Sequence, residues 1–251
     1  MKPVIVRNVR IGEGMPKICV PLVGHTREQL LEEGKNLVSY QADMAEWRID
    51  FYQHSSVTEQ VIKTAGMLRE ILGEIPLLFT FRTKGEGGEK EISGEEYKNL
   101  NLAAASSGFV DLVDVEAFFD EALVREITDG VHRTGKKVIA SNHDFKKTPD
   151  REEMVRRLVY MRELGGDIPK IAVMPQSKED VLSLLSATLE AAENRLDCPI
   201  ITMSMGKMGM VSRVCGELFG SALTFGTVEK GSAPGQVPVQ KLRSILETLQ
   251  P

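Results

Sequence analysis

Aromatic side chains are scarce in this chain of 251 residues: one tryptophan, four tyrosines and nine phenylalanines make up 6% of it. Cysteine is scarcer. Cys19, Cys198 and Cys215 are odd in number, far apart and in no metal-ligand spacing, so a disulfide framework is excluded and reduced, packed thiols are expected. No apolar run is long enough to span a bilayer, and the opening Met1-Lys2-Pro3-Val4-Ile5-Val6-Arg7 lacks the apolar stretch of a signal peptide. A cytoplasmic location is expected. Basic residues number 31 against 36 acidic ones, and a net charge of −5 argues against nucleic acid or an anionic membrane as the main partner. A G-x-G-x-x-G turn is missing too: Val23-Gly24-His25 stands where a dinucleotide-binding doubly wound sheet would want one.

What is present is a repeating pattern. Eight short apolar segments run from Lys17 to Leu22, Met44 to Ile49, Leu77 to Arg82, Asp111 to Glu116, Lys137 to Ser141, Pro169 to Met174, Pro199 to Met203 and Ala222 to Thr227. Their starts lie 23 to 34 residues apart, room for a strand, a loop, a helix and a return loop. Helical patterns fill the gaps. Examples are Thr26 to Leu37, a helix opened by Ser93-Gly94-Glu95-Glu96, one capped by Asp150 and ended by Gly165-Gly166, and Asp180 to Asn194 with Val181, Leu184, Leu185 and Leu189 as its buried stripe. Pro238 opens the last one. Eight such units predict an α/β fold, a (β/α)8 TIM barrel, as one domain over residues 1–251. Val4, Val6 and Val9-Arg10-Ile11 predict a small N-terminal β-hairpin closing the barrel bottom.

Active residues of such barrels gather at the C-terminal strand ends, and alternation decides which side chains share a face. The second segment puts Glu46, Arg48 and Asp50 on one face, either as an internal Glu46–Arg48 ion pair or as hydrogen-bonding groups for a polyhydroxylated ligand. The third ends in Arg82 and a glycine-rich loop that carries Glu86, which is either positioned by that loop or simply solvated. Asp114 and Glu116 on the fourth balance buried cations. His143 follows the fifth and is the one histidine of four at a strand end. The sixth carries Lys170 amid apolar residues. A lysine there either ends a strand and reaches for water or serves as an imine-forming amine. Lys170 stands near the start of its segment, lower in the barrel than the rule prefers. Met203 and Met205 offer an adaptable apolar wall, as does Phe225. Arg213 grips a carboxylate or sits on an exposed helical face. Ser232 and Gln236, in a Gly-Pro-rich stretch, form a lid or an ordinary turn.

Taken in order, Glu46-Trp47-Arg48, Phe79-Thr80-Phe81-Arg82, Glu86-Gly87-Gly88, Ser141-Asn142-His143-Asp144-Phe145, Pro169-Lys170-Ile171-Ala172-Val173-Met174-Pro175-Gln176, Thr202-Met203-Ser204-Met205 and Ser232-Ala233-Pro234-Gly235-Gln236 resemble the type I 3-dehydroquinate dehydratases of the shikimate pathway. The resemblance implies a homodimeric barrel without metal or organic cofactor that dehydrates 3-dehydroquinate to 3-dehydroshikimate. It implies Lys170 as the Schiff-base residue, His143 as the proton relay and Glu86 as the group that orients it. It further implies Arg213 on the carboxylate, Glu46, Arg48 and Arg82 on the ring hydroxyls, and Ser232 and Gln236 in the lid. Pro21 departs from members that carry serine there, and Glu229-Lys230-Gly231 departs from a more basic stretch. Without the resemblance, the residues alone leave two rivals: a class I aldolase, which would want a better phosphate-binding end, and a barrel that has lost catalysis and serves as a scaffold.

Overall fold

Side-chain alternation along the eight predicted segments builds a barrel with two sets of residues, one facing the helices and one facing the axis. The computed structural model describes residues 2–228 and 235–249. A hairpin of β1 (Val4–Val6) and β2 (Val9–Ile11) comes first. The barrel strands follow as β3 (Lys17–Leu22), β4 (Met44–Arg48), β5 (Leu77–Thr80), β6 (Leu112–Glu116), β7 (Lys137–Asp144), β8 (Ile168–Val173), β9 (Ile201–Ser204) and β10 (Leu223–Thr227). All pair in parallel and in chain order, and β10 returns to β3. A single bridge between Ile200 and Ser221 links the β9 and β10 ends. A short ninth parallel strand, β11 (Val237–Pro238), lies along β10. The fold is the predicted TIM barrel.

The helices are α1 (Arg27–Ser39), α2 (Thr58–Leu72), α3 (Gly94–Ser106), α4 (Glu121–Arg133), α5 (Arg151–Glu163), α6 (Lys178–Glu190), α7 (Met210–Val214) and α8 (Val239–Leu249). Five of them start at a side chain that accepts a backbone N–H: Thr26, Ser93, Asp120, Asp150 and Ser177. Each such cap is worth about 1 kcal/mol. The sixth helix departs from expectation. Ser177 caps it, so it opens at Lys178, and Asp180 closes the capping box instead of starting the helix. Leu189 turns out 37% exposed, while Ala187 and Thr188 occupy the buried stripe beside Leu184.

Between barrel and helices, Ile18, Val20, Trp47, Phe79, Val113, Val115 and Ala140 belong to one buried cluster. Trp47 packs edge-on against Phe79 and Tyr52, with ring centroids 6.1 and 5.7 Å away. Inside the barrel the first layer is apolar: Cys19, Met44, Leu78, Leu112, Ile139, Ile168, Ile201 and Leu223, with Val6 and Ile11 of the hairpin packed against them. The hairpin therefore plugs the bottom as expected. Asp111 fastens it there, just ahead of β6. Its carboxylate takes Arg7 Nε at 2.7 Å, Arg69 Nη2 at 2.9 Å and the Leu77 N–H at 2.9 Å. Arg7 holds the hairpin turn with φ of 51°.

Asp111→Ala should strand two partly buried guanidinium groups and lower stability by about 3 kcal/mol. Chemical denaturation should report that loss, and hydrogen exchange should quicken over Val4 to Ile11 before the barrel strands respond. Unchanged exchange in the hairpin would rule out the staple.

Candidate active site

Above the apolar floor the interior turns polar. The second inward layer contains Glu46, Thr80, Asp114, Ser141 and Lys170, and above it stand Arg48, Arg82, Glu116 and His143. The tilt of the barrel strands offsets these levels from the hydrogen-bond register, with Ser141 opposite Lys170 and Lys170 opposite Ile201 of the floor. This answers the question of height. β8 begins at Ile168, so Lys170 is the second inward residue of its strand and its amine rises from the floor into the cavity. Ile171 and Val173 point out to the helices, as alternation requires.

A cavity opens at this end, lined by Glu46, Arg48, Arg82, Glu86, His143, Lys170, Met203, Met205, Arg213, Phe225 and Gln236. These are the expected site residues with one omission: Ser232 lies outside the described residues. Gly87, Phe145 and Ala172 join the lining without having been singled out. Their signal was present in the motifs that contain them, but nothing in a motif says which of its apolar members faces the cavity.

Lys170 is 3% exposed. Its Nζ lies 3.1 Å from Asp114 Oδ2, 3.7 Å from Glu46 Oε1 and 4.7 Å from the centre of the Phe225 ring. Asp114 also accepts from Arg82 Nη2 at 2.8 Å and Ser141 Oγ at 2.6 Å. Burial works against the Asp114 charge, but Arg82 and Lys170 prevail and hold it below the ordinary carboxylate range. Arg82 donates to Glu116 at 3.0 Å as well, so its guanidinium is held mainly by protein carboxylates at the cavity wall. Arg48 does not pair with Glu46. It makes a two-pronged bond to Asp50, at 2.8 and 2.7 Å, because the short helical turn Ile49–Phe51 brings Asp50 back under the guanidinium. Glu46 instead faces Lys170 and accepts from Thr80 Oγ1 at 3.1 Å.

Glu86 is not solvated. Its loop folds inward, and glycine permits this: a Cβ on Gly87 would overlap the Phe145 ring, and one on Gly88 the Arg82 carbonyl. Gly87 also takes a φ of 86°. Asp50 secures the return of the loop through the Glu89 N–H at 3.1 Å. Glu86 Oε2 then meets both the His143 backbone N–H at 3.0 Å and Nδ1 at 2.9 Å, while Oε1 accepts from Asn142 Nδ2 at 2.9 Å. Burial pushes the Glu86 carboxyl up to about 8, with Arg82 opposing and Glu116 adding to the rise. Burial, then Arg82, Lys170 and Arg48, drive His143 well below the usual histidine value. When Glu86 is ionised and accepts the Nδ1 proton, Nε2 is the nitrogen left as a proton acceptor.

Arg213 is 2% exposed, so the alternative of an exposed helical face falls away. It leans on Met203, with Nη1 3.7 Å from the sulfur, and burial lowers it to about 10. An anionic group in the cavity would offset that cost. Among the described residues, no group of three or more His, Cys, Asp or Glu side chains is placed to hold a metal ion, and no helix is long and apolar enough to cross a membrane.

Residues 18–251 match the family model described as type I 3-dehydroquinase. The chain belongs to the type I 3-dehydroquinase family. It is 52% identical over 250 residues to the 3-dehydroquinate dehydratase of Clostridium botulinum, covering 99% of this chain and 98% of that one. A crystal structure of the type I 3-dehydroquinate dehydratase from Clostridium difficile, with covalently modified comenic acid, superposes with a TM-score of 0.97 at 50% identity, over 100% of this chain and 99% of the other. The 3-dehydroquinate dehydratase of Geobacillus kaustophilus matches with a TM-score of 0.97 at 41% identity, over 99% and 96% of the two chains.

A carboxyl that binds its proton more tightly when folded contributes stability that is full below its unfolded value of about 4.3 and is lost as pH climbs through the folded one. For Glu86 that window ends near 8. Glu86→Gln, which does not titrate, should therefore gain stability over the parent by more at about pH 8 than at about pH 5. Calorimetry should show it, since each kcal/mol moves Tm by about 2–4 °C in a chain of this size. The same substitution should remove a rise in kcat/KM near pH 8, where ionised Glu86 begins to accept the Nδ1 proton. An equal Tm difference at both pH values would contradict the assignment.

Proposed function

We propose that this protein dehydrates 3-dehydroquinate to 3-dehydroshikimate and water, in the shikimate pathway of aromatic amino-acid biosynthesis, through an imine on Lys170. The observation that carries the reading is the pairing of two catalytic groups in one cavity: an amine beside Asp114 and a histidine backed by Glu86. Family membership supports the reaction.

The chemistry follows from those groups. Lys170 passes one ammonium proton to His143 and its amine adds to the C3 ketone; His143 returns that proton as water leaves, giving a protonated imine, a better electron sink than the ketone. His143, held neutral by its surroundings, takes a proton from C2 and forms the enamine. The enamine electrons expel the C1 hydroxyl, which receives that proton from His143 and departs as water. A second water hydrolyses the conjugated imine, releasing the enone and restoring the amine. One water is consumed, two are formed, and the net change is one dehydration.

In this reading Arg213 binds the substrate carboxylate, and Glu46, Arg48 and Arg82 orient ring hydroxyls from the wall. Ser232 and Gln236 close over the ligand, and Met203, Met205 and Phe225 supply the apolar side. Arg82 is already committed to three carboxylates, so its role toward hydroxyls is that of a fixed donor. We further read the protein as a single barrel domain, a cytoplasmic homodimer, that uses no metal or organic cofactor.

Borohydride added with 3-dehydroquinate should trap the substrate on Lys170, and peptide mapping should find the adduct there. An adduct elsewhere, or none, would sink the imine route. Lys170→Ala should abolish turnover, read as the absorbance of the conjugated enone. Arg213→Ala should raise KM by about 10- to 100-fold, the worth of a charged hydrogen bond of about 1.5–3 kcal/mol, with a smaller effect on kcat. An unaltered KM would remove Arg213 from carboxylate binding.

A further inference from the structure

One buried amide connects the Glu86–His143 pair to the outside of the barrel. Asn142 lies between Ser141 and His143 on β7 and, by alternation, points outward, toward the helices. It is 8% exposed and touches a carboxyl on one side and a guanidinium on the other. On one side Nδ2 donates to Glu86 Oε1 at 2.9 Å. On the other, Oδ1 accepts from Arg157 Nη1 at 2.9 Å. A guanidinium has donors only, so it demands the amide oxygen and leaves the amide nitrogen for the carboxyl. Arg157 thereby fixes which way the amide of Asn142 faces.

Arg157 is itself held from three directions. One turn earlier on α5, Glu153 accepts from Arg157 Nε at 2.7 Å, the favoured acid-before-base spacing on a helix. The Phe118 ring, in the loop after β6, lies under the guanidinium with its centre 5.7 Å from Cζ. Asn142 completes the set. The run Glu153, Arg157, Asn142, Glu86, His143 is therefore continuous, and each contact in it constrains the next.

We propose that Arg157 and Asn142 are positioning residues for the acid–base pair: Arg157 locks the Asn142 amide, and the locked amide holds Glu86 so that its second oxygen faces both N–H groups of His143. The inference rests on the reading of His143 as the acid–base group. Without Arg157 the amide can rotate, and a carbonyl oxygen turned toward Glu86 accepts a proton from its carboxyl but repels its carboxylate. Loss of the lock thus favours the protonated carboxyl, which cannot accept the Nδ1 proton of His143. The other groups around Glu86 stay in place: Arg82 at 3.6 Å, Glu116 and Asp114 behind it, and His143 itself.

The test compares Arg157→Met with Arg156→Met. Arg156 also bonds Glu153, at 2.8 Å, so the control removes the same charge from the same helix and leaves Asn142 untouched. Three quantities are read in the folded, purified enzyme: the pH profile of kcat with 3-dehydroquinate, KM, and the pH titration of the His143 ring by nitrogen NMR without substrate. Arg157→Met should lower kcat by about 10-fold, within the roughly 100-fold that misplacement of a catalytic group costs. It should hold KM within about two-fold and move the Glu86-linked inflection to higher pH in both kcat and NMR. Arg156→Met should match the parent. Equal shifts in the two variants would reduce the effect to net charge and overturn the proposal, as would an unshifted inflection in Arg157→Met. Borohydride trapping on the parent separates the two levels. If the parent forms no Lys170 adduct, the reaction reading fails, while the NMR comparison still decides whether Arg157 positions the pair.

Discussion

The Asp114 carboxylate, shared by Arg82 and Lys170 in the middle of the barrel, is the interaction on which the site depends. A lysine amine sealed above an apolar floor has no bulk water to solvate it, so a counter-charge must come from the protein. Asp114 supplies it at 3.1 Å and is itself kept ionised by Arg82 at 2.8 Å. Arg82 in turn binds Glu116, and Glu116 accepts the backbone and side-chain donors of Thr83 at 2.8 and 2.7 Å. Thr83 opens the loop that carries Glu86. The same cluster that makes a buried amine tolerable thus fixes the start of the loop that orients the histidine.

Two carboxyl groups of one cavity are driven in opposite directions by their surroundings. Asp114, between two cations, is held below the ordinary range, whereas burial raises Glu86 to about 8. Such divergence separates roles. The lowered carboxylate keeps a charge beside the amine throughout, and the raised one can exchange a proton with His143 close to neutrality. The cations that stabilise Asp114 also keep the histidine uncharged, so a base is ready at a pH where an ordinary imidazole would be partly protonated.

The barrel and most of its mouth were legible in the chain. Strand alternation grouped Glu46 with Arg48 and Asp114 with Glu116 and turned Lys170 inward, position at a strand end picked out Arg82 and His143, and caps such as Ser93 and Asp150 announced helix starts. What alternation could not give was height and partnership. The level of Lys170 depends on its register with Ser141 and Ile201, a relation between strands and not within one. Arg48 pairs with Asp50 because the backbone turns after β4, which a strand pattern does not foretell. The glycines at positions 87 and 88 read only as part of a glycine-rich loop, yet they allow close approach to Phe145 and Arg82. Arg157 was invisible for another reason: it stands on a helix, away from the strand ends where site residues are sought, and reaches the site through a neighbour's amide.

The separation of the two carboxyl-backed groups also argues against a simple aldolase-like site, in which one lysine and its immediate partners suffice. An elimination needs a base that collects a proton from carbon and returns it to a departing oxygen, so that base must change protonation twice in each turnover. Its proton affinity must be adjustable without disturbing the amine. Here the amine answers to Asp114 and Glu46 from neighbouring strands, and the histidine to Glu86 from a loop. Arg82 touches both carboxyl systems and would couple them, but its short bonds go to Asp114 and Glu116, with Glu86 farther off at 3.6 Å. The coupling is therefore weakest where independence matters most. The apolar floor of Ile139, Ile168, Ile201 and Leu223 completes the arrangement, since it closes the approach to the Lys170 amine from below and leaves the cavity at the C-terminal strand ends as the way in.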